Sequence, residues 1–281
     1  MQMYKFHTMF GVLKIMFGAV AIVASFGASA QAATSPWQEL GGGKARLVAS
    51  LDPATSQVSG VVEFMLNDGW KTYWRQPGAS GIPPQFDFSG SRHFAAGEVA
   101  FPVPEYVVAG ETDFIGYHGD VRFPFEGMVT MGGGGDSLIK LSLLAGVCEE
   151  ICIPATAEFE MPVSELMTSD PQAEEIIAEA KLLLPGEPES DFRVETVNAA
   201  DDALEITALV PDEKGKAELF VEGPASWQLL PAKLTGRQGK TVQFLLDLSR
   251  MPKGEKPAGT ELRFTLVSNG KGVEQRLKPG G

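Results

Sequence analysis

The chain holds two cysteines in 281 residues, Cys148 and Cys152. Both lie within Leu138 to Met161, LIKLSLLAGVCEEICIPATAEFEM, separated by Glu149, Glu150 and Ile151. A thiol pair so close together can bridge structurally, exchange with other thiols, or ligate a soft metal ion. On the N-terminal side, Leu138, Leu141, Leu143 and Leu144 give an apolar strand. On the far side, Ile153, Ala155, Ala157, Phe159 and Met161 alternate with period 2, as in a half-buried strand. The pair then sits at the closed end of a β-hairpin, where paired strands bring two Cα atoms into the range of roughly 4.4 to 6.8 Å that a disulfide requires. Closing so short a loop stabilises a fold by only about 2 kcal/mol, against about 4.7 kcal/mol for a hundred-residue loop. A weak staple is compatible with exchange. Glu149 and Glu150 raise the cost of a neighbouring thiolate, and no lysine or arginine is near in sequence to offset them. That environment favours the disulfide and makes the dithiol the better electron donor, although a structural bridge carries the same signature.

Other chemistries find little support in the residue pattern. His93 and His118 are the histidines that follow the N-terminal region, too few for a histidine-rich metal site, and no cofactor fingerprint stands out, so neither metal nor cofactor is assigned. The run Gly132 to Gly135 leads into a strand rather than a helix, which makes it a turn and not a phosphate-binding loop.

The N-terminus carries Lys5 and Lys14, an apolar run from Ile15 to Phe26, and Ala28-Ser29-Ala30. This is the three-part pattern of a secretory signal, with cleavage expected after Ala30 or, nearly as well placed, after Ala32. Export supplies an oxidising compartment in which a disulfide persists. Loss of residues 1–30 removes two lysines and no acids, leaving 21 basic against 36 acidic residues, so nucleic acid and anionic membrane surfaces repel the remainder. No later segment is apolar enough to span a membrane, so no stable insertion is expected after cleavage.

The hairpin needs a β framework. Ala45 to Leu51 and Val58 to Leu66 read as strands, and Asp68-Gly69 predicts a tight hairpin into Trp70 to Arg75. Gln76 to Pro84 is loop, Gln85 to Phe88 a short strand, and Val121 to Thr130 another. Glu105 to Asp120, with Tyr106, Phe114, Tyr117 and His118, reads as a long functional loop. Asp170 as N-cap, Pro171, Glu174, Glu175, Lys181 and Pro185 delimit one helix, with Ile176, Ile177, Ala180, Leu183 and Leu184 on its apolar face. Beyond it, short strands are expected at Phe192 to Val197, Leu204 to Val210, Ala217 to Glu222, Trp227 to Leu234, Val242 to Leu248, Leu262 to Val267 and Val273 to Leu277. The expected fold is all-β. A β-sandwich at 34–165 leads through a connector helix and linker at 166–190 to a second, smaller β-sandwich at 191–281, to which no chemistry is assigned.

Four motifs in order carry a family resemblance: DGWKTYWR (Asp68 to Arg75), FDFSGS (Phe86 to Ser91), DFIG (Asp113 to Gly116) and GVCEEICIP (Gly146 to Pro154). Together they resemble the periplasmic N-terminal domain of the thiol:disulfide interchange protein DsbD, most closely its ScsB-like variants, over roughly Trp37 to Pro162. The resemblance implies an immunoglobulin-like sandwich whose cysteine pair takes electrons from a membrane thiol electron transporter and passes them to periplasmic thioredoxin-like proteins. It makes Cys148 and Cys152 the redox pair, and places Phe114, with Asp113 and Gly116, in a cap loop that shields it. Two departures stand beside this. The family's cysteines lie further apart than C-x3-C, and these 281 residues include neither the membrane transporter nor a thioredoxin-like domain, so the electron source is expected to be another protein. A binding or assembly module with a structural disulfide, and a copper-handling protein with the thiols as Cu(I) ligands, are the competing readings.

Overall fold

The structure is a computed structural model that describes residues 33–78, 81–107, 114–130, 136–200, 202–224 and 226–280. The expected signal segment and its cleavage sites lie outside the described residues, as do Asp113 and the glycine run 132–135. Among the described residues no helix is long and apolar enough to cross a membrane.

The strands before the helix are β1 (Gln38–Glu39), β2 (Gly43–Asp52), β3 (Gln57–Leu66), β4 (Lys71–Tyr73), β5 (Gln85–Asp87), β6 (Phe94–Ala96), β7 (Glu105–Val107), β8 (Phe114–His118), β9 (Val121–Val129), β10 (Leu138–Cys148) and β11 (Cys152–Pro162). They form an antiparallel five-stranded sheet, β1-β2-β3-β9-β6, and a six-stranded sheet, β11-β10-β4-β8-β7 with β5 also paired to β10. Leu47, Val62, Phe64, Phe123, Ile139, Leu141 and Phe159, all fully buried, are part of the core of this immunoglobulin-like sandwich. Period 2 explains the burial: Ile139, Leu141, Leu143, Ala145 and Val147 of β10 point inward, and Ala155, Ala157, Phe159 and Met161 of β11 do the same. Ile153 does not continue that row, for it lies near the hairpin tip and is exposed.

Two local expectations are corrected. Asp68-Gly69 does not close a hairpin, because β3 already has β2 on one side and β9 on the other. The chain turns there with Gly69 at φ 81° and crosses to the opposite sheet, where β4 pairs with β10 and β8. The stretch Glu105 to Asp120 is not one long loop, since β7 and β8 occupy its two ends and pair with each other. Its glycine and aromatic content hid two short strands, of which β8 is held on its other side by the distant β4.

Helix α1 (Pro171–Leu182) starts as the sequence indicates: the Asp170 carboxylate accepts from the backbone N–H groups of Gln172 and Ala173. It packs on β2, β3 and β9 through Ala173, Ile176, Ile177 and Ala180. Arg122–Glu179 at 2.8 Å and Lys181–Glu126 at 2.5 Å flank the contact. Leu183, expected on the apolar face, follows the last helical residue and is exposed.

The remaining strands are β12 (Arg193–Ala200), β13 (Ala203–Leu209), β14 (Ala217–Glu222), β15 (Lys233–Gln238), β16 (Thr241–Asp247), β17 (Leu262–Ser268) and β18 (Lys271–Leu277). A four-stranded sheet, β12-β13-β16-β15, faces a three-stranded one, β14-β17-β18. Between them lie Leu204, Ile206, Leu219, Phe244, Leu246 and Phe264. Trp227 to Pro231, expected as part of a strand, is irregular; Ala232 forms a single antiparallel bridge to Leu219, and β15 begins at Lys233. The three-stranded sheet is buried on both faces: Leu219 and Val221 point into this second core, whereas Phe220 and Val267 join the core of the first sandwich. That explains the adjacent apolar residues Leu219-Phe220-Val221 and Leu266-Val267, which face alternately into the two cores.

Candidate functional site

Register builds the site. Strands β10 and β11 pair over eleven positions, from Leu138↔Pro162 to Cys148↔Cys152, so the cysteines are cross-strand partners at the last rung. Their Cα atoms are 4.1 Å apart and a disulfide joins them. The separation falls just below the range of roughly 4.4 to 6.8 Å usual for disulfides.

Strand β4 lies on the other side of β10, with Lys71 opposite Cys148 and Thr72 opposite Val147. Strand β8 follows, with His118 opposite Lys71 and Gly116 opposite Tyr73. Alternation then places Cys148, Lys71, Tyr73, Phe114, Gly116 and His118 on the outer face of the six-stranded sheet, while Thr72, Ile115 and Tyr117 point inward. Two glycines allow the close fit. A Cβ on Gly116 would lie 2.2 Å from the Thr72 carbonyl oxygen, and one on Gly146 would lie 2.9 Å from that of Ile82 and 3.1 Å from the Tyr73 ring.

On this outer face Cys148 is nonetheless 1% exposed, because Tyr73 and Phe114 pack with it in a small apolar cluster to which Val107 adds. The Tyr73 and Phe114 rings meet edge to face at 6.2 Å. The Lys71 ammonium sits over the Phe114 ring at 4.5 Å, and the His118 ring lies 5.1 Å from it. His118 Nδ1 is 3.5 Å from a Glu105 carboxylate oxygen. Cys152, by contrast, is exposed, as are its neighbours Glu149, Glu150, Ile151 and Ile153.

The Tyr73 hydroxyl stands 2.8 Å from Cys152 Sγ and 3.3 Å from Cys148 Sγ. A disulfide sulfur has no proton, so the tyrosine O–H is the donor. Burial pushes the Tyr73 pKa up, which keeps that proton in place at neutral pH.

The structure thus brings together Cys148, Cys152, Phe114 and Gly116 of the residues singled out from sequence, while Asp113 lies outside the described residues. Tyr73 and Lys71 were missed as site residues. Lys71 supplies a positive charge that sequence neighbours do not, and its position opposite Cys148 follows only from the pairing of β4 with β10. The alternating K-x-Y in DGWKTYWR was the available signal, but alternation without register does not say what a strand faces.

Residues 43–164 match the family model described as thiol:disulfide interchange protein DsbD, N-terminal. No curated protein matches the chain. The crystal structure of the N-terminal periplasmic domain of ScsB from Proteus mirabilis is similar to this chain at 18% identity with a TM-score of 0.73, over 88% of this chain and 98% of that one. At that identity the likeness establishes a shared fold, and it extends beyond the first sandwich. The matched family and the joined pair Cys148–Cys152 give a thiol:disulfide interchange domain. Residues 43–164, ending just past the cysteine hairpin, belong to the family of the N-terminal domain of thiol:disulfide interchange protein DsbD.

Proposed function

We propose that this chain is an exported, periplasmic electron relay in which Cys148 and Cys152 accept two electrons from a membrane thiol transporter and pass them to thioredoxin-like proteins. The unequal burial of the two sulfurs carries the reading: Cys152 is open to an incoming thiolate, whereas Cys148 is 1% exposed beneath Tyr73 and Phe114. A donor thiolate attacks Cys152 Sγ. The Cys148–Cys152 bond breaks, a mixed disulfide forms on Cys152, and Cys148 leaves as a thiolate. The Tyr73 hydroxyl is already within hydrogen-bonding distance of Cys148 Sγ and donates to the charge that develops there. The donor's second thiol then attacks the mixed disulfide and releases Cys152. The donor leaves as a disulfide, and the pair keeps two electrons and two protons. Transfer onward reverses these steps with an oxidised acceptor.

Phe114 acts as the cap in this reading. It covers Cys148 and leaves Cys152 as the sulfur that a partner reaches, so small reductants gain little by approaching from the Cys148 side. The exposed Ile151 and Ile153 beside Cys152 give a docking partner apolar surface to cover.

The test compares single-cysteine variants. With Cys148→Ser, the remaining Cys152 reacts quickly with an aromatic disulfide reagent and is trapped as a mixed disulfide by a thioredoxin-like protein. With Cys152→Ser, the remaining Cys148 reacts slowly. Equal rates, or a faster Cys148, would contradict the assignment of Cys152 as the attacked sulfur.

A further inference from the structure

Strand β4 is three residues long, yet it must hold the Tyr73 hydroxyl over the disulfide. Its backbone pairs with only two residues of β10 and three of β8. The residues that follow at once are held from elsewhere. Trp74, 1% exposed, packs edge to face on Phe220 of β14 at 5.7 Å. Arg75 Nε donates to Glu222 of β14 at 2.6 Å, and its terminal nitrogen donates to Glu274 of β18. The guanidinium also lies over the Trp74 ring at 4.8 Å and the Phe101 ring at 5.5 Å. The Gln76 side chain donates to the Trp227 carbonyl at 2.9 Å.

Both carboxylates on Arg75 come from the three-stranded sheet, one from each of the strands β14 and β18 that flank β17. The second oxygen of Glu222 is buried and has no hydrogen-bond partner among the described residues, so the hydrogen bond of this carboxylate is to Arg75. A planar guanidinium held by two carboxylates is fixed in direction as well as in place, which a single ammonium contact would not achieve. One residue, Trp74, separates that anchor from Tyr73, whose hydroxyl touches both sulfurs.

We propose that the three-stranded sheet β14-β17-β18 sets the reactivity of the disulfide, by holding Arg75 as a positioning residue that keeps the Tyr73 hydroxyl on the sulfurs. This rests on the role given above to Tyr73 in stabilising the Cys148 thiolate. It also assigns to the C-terminal sheets a part in the chemistry, although they contribute no atom to it.

The test titrates the Cys148 thiol in the full chain, with Cys152→Ala so that one thiol is followed, by the pH dependence of its alkylation. Tyr73→Phe removes the hydrogen bond to the thiolate and is expected to raise the Cys148 pKa by about one unit. Glu222→Ala is expected to raise it in the same sense, and to add nothing when combined with Tyr73→Phe. The sign separates position from charge, since removing a carboxylate acts through its field to lower a thiol pKa. A lowered or unchanged pKa in Glu222→Ala, or effects that add in the double variant, would overturn the positioning role while leaving that of Tyr73 intact. An unchanged pKa in Tyr73→Phe would overturn both. Glu274→Ala gives the same reading from the other side of the guanidinium if Glu222→Ala does not fold, as judged by circular dichroism.

Discussion

Phe114 is the residue on which the cap depends, and its contacts make a quantitative expectation possible. It is 3% exposed, but its burial is against Tyr73, Cys148 and Val107 on the outer face of the sheet, apart from the main core. Truncating a core phenylalanine costs about 3 to 5 kcal/mol. Phe114→Ala is expected to cost clearly less than that in chemical denaturation, while speeding reduction of the disulfide by dithiothreitol. A full core penalty with an unchanged reduction rate would make Phe114 ordinary packing. The cysteine pair and Phe114 could be picked out from sequence because their motifs are short and local. Tyr73 and Lys71 could not be placed, because their contacts cross 75 or more positions to reach Cys148 and Cys152 and depend on which strands are neighbours.

At the level of elements, the hairpin was legible because the period-2 pattern of β10 and β11 holds from the Ile139↔Met161 pair to the Ala145↔Ala155 pair. The role of β4 was not, since Asp68-Gly69 carries the same local signal whether a chain folds back on its own strand or crosses to another sheet. Strands β7 and β8 were hidden for a related reason: three and five residues long, they are stabilised by partners and not by their own composition. Gly116 tests this placement of β8 against β4. A methyl group there would meet the Thr72 carbonyl oxygen at 2.2 Å, and backbone has little room to yield. Gly116→Ala is therefore expected to destabilise the protein by about 1 to 3 kcal/mol in urea unfolding, and to disturb the disulfide site with it. A neutral Gly116→Ala would show that β8 does not pack as closely as the register requires.

Across the whole molecule, β14 and β17 were recognisable as strands, but their two-sided burial against both cores was not, since a buried strand reads the same whichever surfaces cover it. The polar part of this contact predicts acid sensitivity. A hydrogen bond from Arg263 of β17 is the main cause that holds the Glu98 carboxyl below its ordinary value of 4.5; burial opposes it, and the charges of Arg263, Arg75 and Arg276 add to the lowering. A depressed carboxylate pKa contributes stability that is complete above the unfolded value and disappears as pH falls through the folded one. Thermal stability of the full chain is expected to drop as pH falls below the ordinary carboxyl value of 4.5, and to drop less steeply in Glu98→Gln. Equal slopes in the two proteins would remove Glu98 from the account.

The central claim is that the disulfide exchanges electrons and does not merely staple the hairpin. Equilibration of the full chain with defined thiol–disulfide buffers, followed by circular dichroism across the same series, tests it most directly. The short loop and the exposed Cys152 predict a potential above about −300 mV, more oxidising than structural bridges in secreted proteins, with the β signal kept after reduction. A potential below that value, with the β signal lost on reduction, would contradict it.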